Sequence, residues 1–358
     1  MGEARDLVVM FGGPSAEHEV SCVSAYHVTS GSRRGGRRVI LVGLTHDTRW
    51  VDMSASLETM EEFDAFPSPD VVVAEDPTKV LPDLGAHLSR GADAPVIFPL
   101  LHGPFGEDGV AQGHFEALGI PYVGAGVLSS ALCMDKAVAK SVLRDHGLPV
   151  AAWRVLRRSE LTTSALEEVI GALGFPVFVK PANLGSSIGV SKVTTTEELR
   201  DAVELAWEFD DYAILEEFVD GREVELAALG NQNVQVTVAG EVIASREFYD
   251  YEDKYELGAA KIIVPAELSP ADMARAQELA TGAYAALRVE GLARIDLFMT
   301  PDGSLLINEV NTMPGFTPIS MFPMLWQHSG LPLPALIDEL VTLAMERHVR
   351  RRGLRKFR

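Results

Sequence analysis

Short, nearly unbroken aliphatic runs alternate with longer segments of mixed periodicity over the first part of the chain. Residues 7–11, 39–44, 95–101 and 120–123 read as strands buried on both faces, and 17–30 predicts a helix between the first two. Strands alternating with helices imply a parallel sheet covered on both sides. The proline-rich stretch 67–82 reads as a surface connection. From residue 129 the texture changes. One strong helix is predicted over 129–146, closed by Gly147 with Pro149 beyond. Strand-like runs at 175–180, 188–193 and 213–217, with a helix at 197–209, make a small α+β unit. From residue 223 strands dominate, at 223–229, 233–238 and 241–247. A helix over 269–287 follows, opened by Ser269 as N-cap and Pro270 in the first turn, then a hairpin over 293–311 and a helix over 334–347. These shifts predict an α/β, multidomain chain. Its units are 1–128, 129–222 and 223–347, with a basic tail at 348–358.

Charge changes the picture. The 358 residues carry 51 acidic against 31 basic side chains, net −20, which argues against a nucleic-acid surface. Eleven of the basic residues lie in two acid-free runs, 33–38 and 347–358, so the rest of the chain stands at −31; only 8 residues are lysine. Cys22 and Cys133 are too few for a disulfide framework and read as small buried residues. With no apolar run of about 18 residues and no signal-peptide pattern, the expectation is a soluble, cytoplasmic protein with no membrane attachment.

Several segments carry more chemistry than a connection needs. Gly12-Gly13-Pro14-Ser15-Ala16-Glu17-His18-Glu19 joins a strand to a helix without GxGxxG spacing. Glu17 there either complements the helix dipole or holds an ammonium group. His102 follows a buried strand, where open α/β sheets bind ligands, or is an ordinary satisfied histidine. Lys180 ends an apolar strand, and the Gly185-Ser186-Ser187-Ile188-Gly189 loop that follows lets phosphate oxygens approach backbone N–H groups; a plain hairpin would leave Lys180 unexplained. Glu216, Glu217 and Glu223 offer acceptors of the kind an adenine amino group and ribose hydroxyls need, or form a solvated edge. The tyrosine-rich run 248–255, with Lys254, is suited to close over a site and exclude water.

The hairpin is the sharpest signal. If Asp302-Gly303 is a two-residue turn, Asp296 faces Glu309 and Arg294 faces Asn311, all on one face. Two carboxylates and an amide oxygen suit Mg²⁺; the alternative is a buried ion pair with a large desolvation cost. A three-residue turn would break this register. Just beyond, Gly315 permits close backbone approach and Ser320 offers a hydroxyl near a helix start, unless the stretch is only an irregular connection.

In order, GGPSAEHEVS, LHGPFGEDG, KPANLGSSIGVSKV, FYDYEDKY, ARIDLF and INEVNTMPGFTPIS resemble the D-alanine–D-alanine ligases of the ATP-grasp superfamily, over residues 7–347. The resemblance implies an ATP-grasp fold behind an N-terminal Rossmann-like parallel-sheet domain. It implies ATP clasped between the central and C-terminal units, with two Mg²⁺ ions or Mn²⁺ in their place. One D-alanine carboxylate would be phosphorylated and the amine of a second would attack the acyl phosphate, for peptidoglycan precursors. By the same resemblance Glu17, helped by His102, binds the first ammonium; Arg294 and the Gly315 N–H hold the oxyanion; Ser320 and Met321 serve the second D-alanine. Ser186 and Tyr255 link with Glu17 to assist proton transfer. Lys136, Lys180 and Lys254 meet phosphates, with Ser187, Glu216, Glu217, Val219, Glu223, Phe298 and Asn308 completing the nucleotide pocket. Asp296, Glu309 and Asn311 hold the metal. Tyr255 argues for an amine acceptor, because D-lactate ligases of the resistance type carry a histidine-bearing sequence there; a D-lactate or D-serine ligase is the alternative. The implied partners are small molecules and a second copy in a homodimer joined through the N-terminal region. Neither nucleic acid nor membrane is expected. The arginine-rich connection 31–38 and the basic tail depart from the family pattern.

Overall fold

The computed structural model describes residues 5–62, 64–88, 95–243 and 261–354. In its first sheet β1 (Leu7–Gly12) runs parallel to both β2 (Val39–Leu44) and β4 (Val96–Pro99), and β3 (Trp50–Asp52) adds an antiparallel edge, in the order β3-β2-β1-β4. All six β1 residues are buried, because alternate side chains face opposite layers. Leu7, Val9 and Phe11 pack with Cys22, Ala25 and Val28 of α1 (His18–Arg34); Val8 and Met10 pack with α3 (Leu84–Leu88) and α4 (Val110–Leu118). The expected two-sided sheet is therefore present, with differences. Residues 120–123 meet β4 only through an Ile97–Tyr122 bridge. The proline-rich stretch contains α2 (Pro69–Glu75), since Ser68 caps it and Pro69 fits its first turn.

The helix predicted over 129–146 is two helices, α5 (Val127–Met134) and α6 (Lys136–Asp145). Asp135 leaves the helical region (φ −83°, ψ 100°), and its side chain accepts from the N–H groups of Ala137 and Val138. Capping a new helix outweighs continuing the old one here, and apolar periodicity alone does not register such a break.

A second sheet, β5-β8-β6-β7, is antiparallel: β5 (Trp153–Arg157), β8 (Tyr212–Glu217), β6 (Val177–Pro181) and β7 (Ser191–Val193). Its apolar face packs on α7 (Thr163–Leu173) and α8 (Thr196–Ala206). The third sheet, also antiparallel, orders β12 (Lys261–Ile263), β11 (Gly240–Ile243), β9 (Arg222–Gly230), β13 (Gly291–Met299) and β14 (Leu305–Asn311), with β10 (Gln235–Val236) paired to β9. Helices α5, α6 and α9 (Pro270–Ala286) cover one face of it, and Ser269 caps α9 as expected.

The chain then returns to the first sheet. α10 (Met321–His328) and α11 (Leu333–Arg352) lay Phe322, Leu325, Leu336, Ile337 and Leu340 into the core beneath β1. Each such aliphatic burial contributes about 1.5–3 kcal/mol. α11 runs past the expected end at 347. Arg347 is buried and donates to the Gly124 and Tyr122 carbonyls, Arg350 pairs with Glu290, and Arg351 pairs with Glu116. Much of the acid-free arginine run is thus a helix end with its cations matched, which also complements the helix dipole. Among the described residues no helix is long and apolar enough to cross a membrane.

The hairpin register was expected for an incomplete reason. Met299 pairs with Leu305, and the Thr300 N–H donates to the Ser304 carbonyl, so the turn is wider than two residues. A bulge between Asp296 and Leu297 then absorbs Asn308, and Asp296↔Glu309 and Arg294↔Asn311 are restored. The wide turn and the bulge cancel.

Candidate active site

A cavity of about 1360 Å³ lies between the start of α1, the loop after β4, the 184–190 loop, β8, β9, β13, β14 and the segment that follows β14. Its walls include Glu17, His102, Lys136, Lys180, Ser186, Ser187, Glu216, Glu217, Val219, Glu223, Arg294, Asp296, Phe298, Asn308, Glu309, Asn311, Gly315, Ser320 and Met321. Every expected site residue within the described chain is therefore gathered into one space. Lys254 and Tyr255, with the rest of the 248–255 run and the 244–247 part of the strand expected at 241–247, lie outside the described residues.

At one end the charges are lysines around a single carboxylate. Glu216 on β8 receives Lys180 of β6, Nζ to Oε2 at 2.7 Å, and Lys140 of α6 stands 3.5 Å from its other oxygen. Burial disfavours the Glu216 anion, yet Lys140, Lys180 and Lys136 together pull its carboxyl down to about 2. Burial also opposes the Lys180 charge, but Glu216 and Glu309 hold it above its ordinary range. For Lys140 burial wins and its pKa falls. Lys136 is the first residue of α6; its Nζ donates to the Leu184 carbonyl at 2.5 Å and lies 3.8 Å from Glu309, tying the Gly/Ser loop to the hairpin. In that loop Ser186 and Ser187 adopt φ of 53° and 57°, a left-handed backbone that costs a non-glycine residue about 1 kcal/mol. Glu217 accepts from the Ala152 N–H at 2.6 Å, and Glu223 is cross-strand neighbour to Phe298.

Lys140 was not anticipated. It is 1% exposed, and its Nζ has no hydrogen-bond acceptor among the described residues. Two cations on one anion leave Lys180 available to a phosphate without stranding Glu216. Lys140→Met keeps a neutral Lys180–Glu216 pair and removes a buried cation. The melting temperature should then equal or exceed the parent's, while KM for ATP rises roughly tenfold. Calorimetric melting and initial-rate kinetics on the purified variant check both.

At the other end Arg294 forks onto Asp296, Nε to Oδ1 at 2.8 Å and NH2 to Oδ2 at 2.6 Å, and lies 3.0 Å from Glu225 on β9. Asn311 donates to Asp296 at 3.1 Å and to Glu309 at 3.3 Å. Arg294, Asp296, Glu309 and Asn311 belong to one face of the hairpin, with Glu225 beside them on β9. Oxygen donors without sulfur or imidazole fit a hard divalent cation. The residues present therefore fit Mg²⁺ at Asp296, Glu309 and Asn311.

The segment after β14 completes the wall. A Cβ on Gly315 would stand 2.8 Å from Ser320 Oγ, so any larger residue there would displace the Ser320 hydroxyl. Ser320 Oγ accepts from the Thr317 N–H at 3.0 Å and shares a 2.8 Å bond with Thr317 Oγ1. Ser320 does precede α10, but its side chain makes no cap bond.

Two residues of the loop after β4 behave unexpectedly. His102 is buried; its Nδ1 faces the Met313 carbonyl at 3.1 Å and its Nε2 faces Ser24 Oγ at 3.4 Å. Burial, over the opposing field of Glu17 and the Met313 bond, lowers its pKa. Direct help to Glu17 has no free ring nitrogen to act through. Glu107, unassigned from sequence, accepts from the Gly103 N–H at 2.7 Å and the Met313 N–H at 3.2 Å. Burial and then the charge of Glu17 push its carboxyl up to about 8.

Elsewhere His18, His46 and Asp70 bring ligand-type atoms within 4.8 Å of one another. The two imidazoles are stacked, centroids 4.0 Å apart and planes 10° apart, so their in-plane lone pairs run parallel rather than converge on an ion. His18 instead braces the turn that carries Glu17, through the Gly13 carbonyl at 2.8 Å and Ser68 at 2.9 Å.

Two antiparallel sheets that set lysines and acids around one cavity, beside a parallel-stranded unit, define an ATP-grasp fold. The chain belongs to the D-alanine–D-alanine ligase family: residues 6–125 match the family model described as D-ala D-ala ligase N-terminus and residues 142–342 that described as D-ala D-ala ligase C-terminus. A D-alanine–D-alanine ligase of Halothermothrix orenii is 42% identical over 95% of this chain and 98% of its own length. D-alanine–D-alanine ligase A of Escherichia coli K12 is 42% identical over 95% of each chain. The structure of the Coxiella burnetii D-alanine–D-alanine ligase aligns with a TM-score of 0.84 at 34% identity, over 98% of this chain and 97% of that one. That of the VanG D-Ala:D-Ser ligase from Enterococcus faecalis aligns at 0.83 and 35%, over 96% and 100%.

Proposed function

We propose that the chain joins two D-alanine molecules into D-alanyl-D-alanine at the expense of ATP, for cell-wall precursor synthesis. The observation that carries this reading is the single cavity in which an acid for an ammonium, a lysine cluster for phosphates, an oxygen donor set for a cation and a forked arginine converge.

In this reading Lys136 and Lys180 take the nucleotide phosphates, joined by Lys254. Glu216, Glu217, Val219, Glu223, Phe298, Asn308 and Ser187 surround the base and ribose. Mg²⁺ at Asp296, Glu309 and Asn311 would supply neutralisation of phosphate charge. Glu17 holds the ammonium of the first D-alanine. An oxygen of that molecule's carboxylate attacks the γ-phosphorus, the bond to the ADP oxygen breaks, and an acyl phosphate forms. The second D-alanine, held near Ser320 and Met321, loses a proton from its ammonium, and the free amine attacks the acyl carbon. Arg294 and the Gly315 N–H face the oxyanion of the tetrahedral species, a preorganised electrostatic role. Collapse expels inorganic phosphate and leaves the peptide bond. Ser186 and Tyr255 link with Glu17 in the proton path; Ser186 Oγ is buried without a partner among the described residues, which supports that placement.

The division into 1–128, 129–222 and 223–347, cytoplasmic residence and a homodimer are part of the same reading and rest on the family resemblance. The VanG neighbour makes D-serine a second acceptor to consider. The direct test is release of ADP by the purified protein with ATP, Mg²⁺ and D-alanine. Release dependent on all three is expected, and its absence would remove the reading.

A further inference from the structure

The segment carrying Gly315 and Ser320 is held by a set of bonds to α1 and to the loop after β4, and their directions follow from the donors and acceptors present. The Phe316 N–H can only donate, so Ser24 Oγ accepts it, at 3.2 Å. The Ser24 hydroxyl is then free to donate to His102 Nε2, at 3.4 Å, and the Met313 carbonyl can only accept, so His102 Nδ1–H donates to it, at 3.1 Å. The other side of the same Met313 residue, its N–H, is taken by Glu107 Oε1 at 3.2 Å, while Glu107 Oε2 holds its own loop through the Gly103 N–H at 2.7 Å. The Phe316 ring anchors this arrangement, fully buried edge-to-face against Phe98 of β4 at 5.2 Å. Ser24, His102 and Glu107 lie more than two hundred residues from the backbone they hold.

We propose that Glu107 is a positioning residue for the second substrate: with His102 and Ser24 it clamps the Met313–Phe316 backbone and so sets Gly315 and Ser320 at the distance from Glu17 that two D-alanines need. This deepens the function proposed above and rests on it. The residues that hold the nucleotide lie mainly on α6, β6, β8 and β9, which the clamp does not bond, and Glu17, which holds the donor ammonium, stands about two turns before Ser24 at the start of α1. Loss of the clamp therefore falls chiefly on the acceptor side, which Gly315 and Ser320 carry. The Glu107 carboxyl presents one oxygen to each N–H group, whereas the amide of Glu107→Gln has one oxygen and must turn its NH₂ against the other donor.

The test is initial-rate kinetics on Glu107→Gln and Ser24→Ala, resolving separate KM values for donor D-alanine, acceptor D-alanine and ATP. Acceptor KM should rise about tenfold in Glu107→Gln and about threefold in Ser24→Ala, with donor and ATP KM within twofold of the parent. Ser24→Ala removes one buried hydroxyl and decides the matter if Glu107→Gln does not fold. A common rise of all three constants, or an unchanged acceptor KM in the folded variants, would overturn the proposal. Parent enzyme that releases ADP with D-alanine keeps the function itself separate from this outcome.

Discussion

Replacing Arg294 by alanine should lower turnover at least about a thousandfold while leaving ATP affinity within about threefold of the parent. The guanidinium faces the reacting carbonyl in the proposed mechanism, and loss of one oxyanion donor alone costs ~10²–10³. The same change has a structural side. Asp296 and Glu225 are register partners on β13 and β9, and Arg294 is bonded to one and 3.0 Å from the other. Without it two buried carboxylates face each other, a destabilisation of about 3–5 kcal/mol. Arg294→Lys keeps the cation but not the fork, so it should fold and still lose about a hundredfold in turnover. Calorimetric nucleotide binding beside steady-state rates separates these effects. Turnover within tenfold of the parent in either variant would show that Arg294 is only a structural ion-pair partner.

The second large effect is expected at the oxygen donor set. Asp296→Asn removes one charged ligand and leaves one oxygen for Arg294, with Glu225 still 3.0 Å from the guanidinium. The Mg²⁺ concentration for half-maximal activity should rise roughly 10–100-fold, and high Mg²⁺ should recover part of the rate. Chelation should abolish parent activity, and Mg²⁺ or Mn²⁺ should restore it. The readout besides rate is Mn²⁺ binding followed by electron paramagnetic resonance with ADP present, which should weaken in the variant. Metal-independent turnover, or an unchanged Mg²⁺ requirement in Asp296→Asn, would contradict the assignment of this face.

Much of the site was legible because each segment carries its chemistry locally. Lys180 at the end of an apolar strand, the Gly/Ser loop and the Arg294-x-Asp296 and Glu309-x-Asn311 spacings need only period-two geometry to be read. Their gathering into one cavity then follows from the order of elements. The illegible parts depend on distant partners. Lys140 reads as an ordinary helix residue one turn after Lys136; only the packing of α6 reveals it as a buried second cation on Glu216. Glu107 sits in a loop of polar residues, and its role appears when Met313 arrives from 206 residues away. The hairpin register was right although the turn was misjudged, because the bulge at Asn308 is a property of the closed sheet rather than of the dipeptide Asp302-Gly303. The helix break at Asp135 left a faint sign, an acid three residues before an apolar position, that a continuous helix also tolerates. Charge alone did not show how the basic run at 348–358 begins: it continues α11, where Arg350 pairs with Glu290 and Arg351 with Glu116.

The central claim is tested most directly by supplying the purified protein with ATP, Mg²⁺ and D-alanine together with competing D-serine and D-lactate, and weighing the products by mass spectrometry. D-alanyl-D-alanine should dominate, in step with ADP released. A dominant D-alanyl-D-serine or D-alanyl-D-lactate, or ADP released without dipeptide, would contradict it.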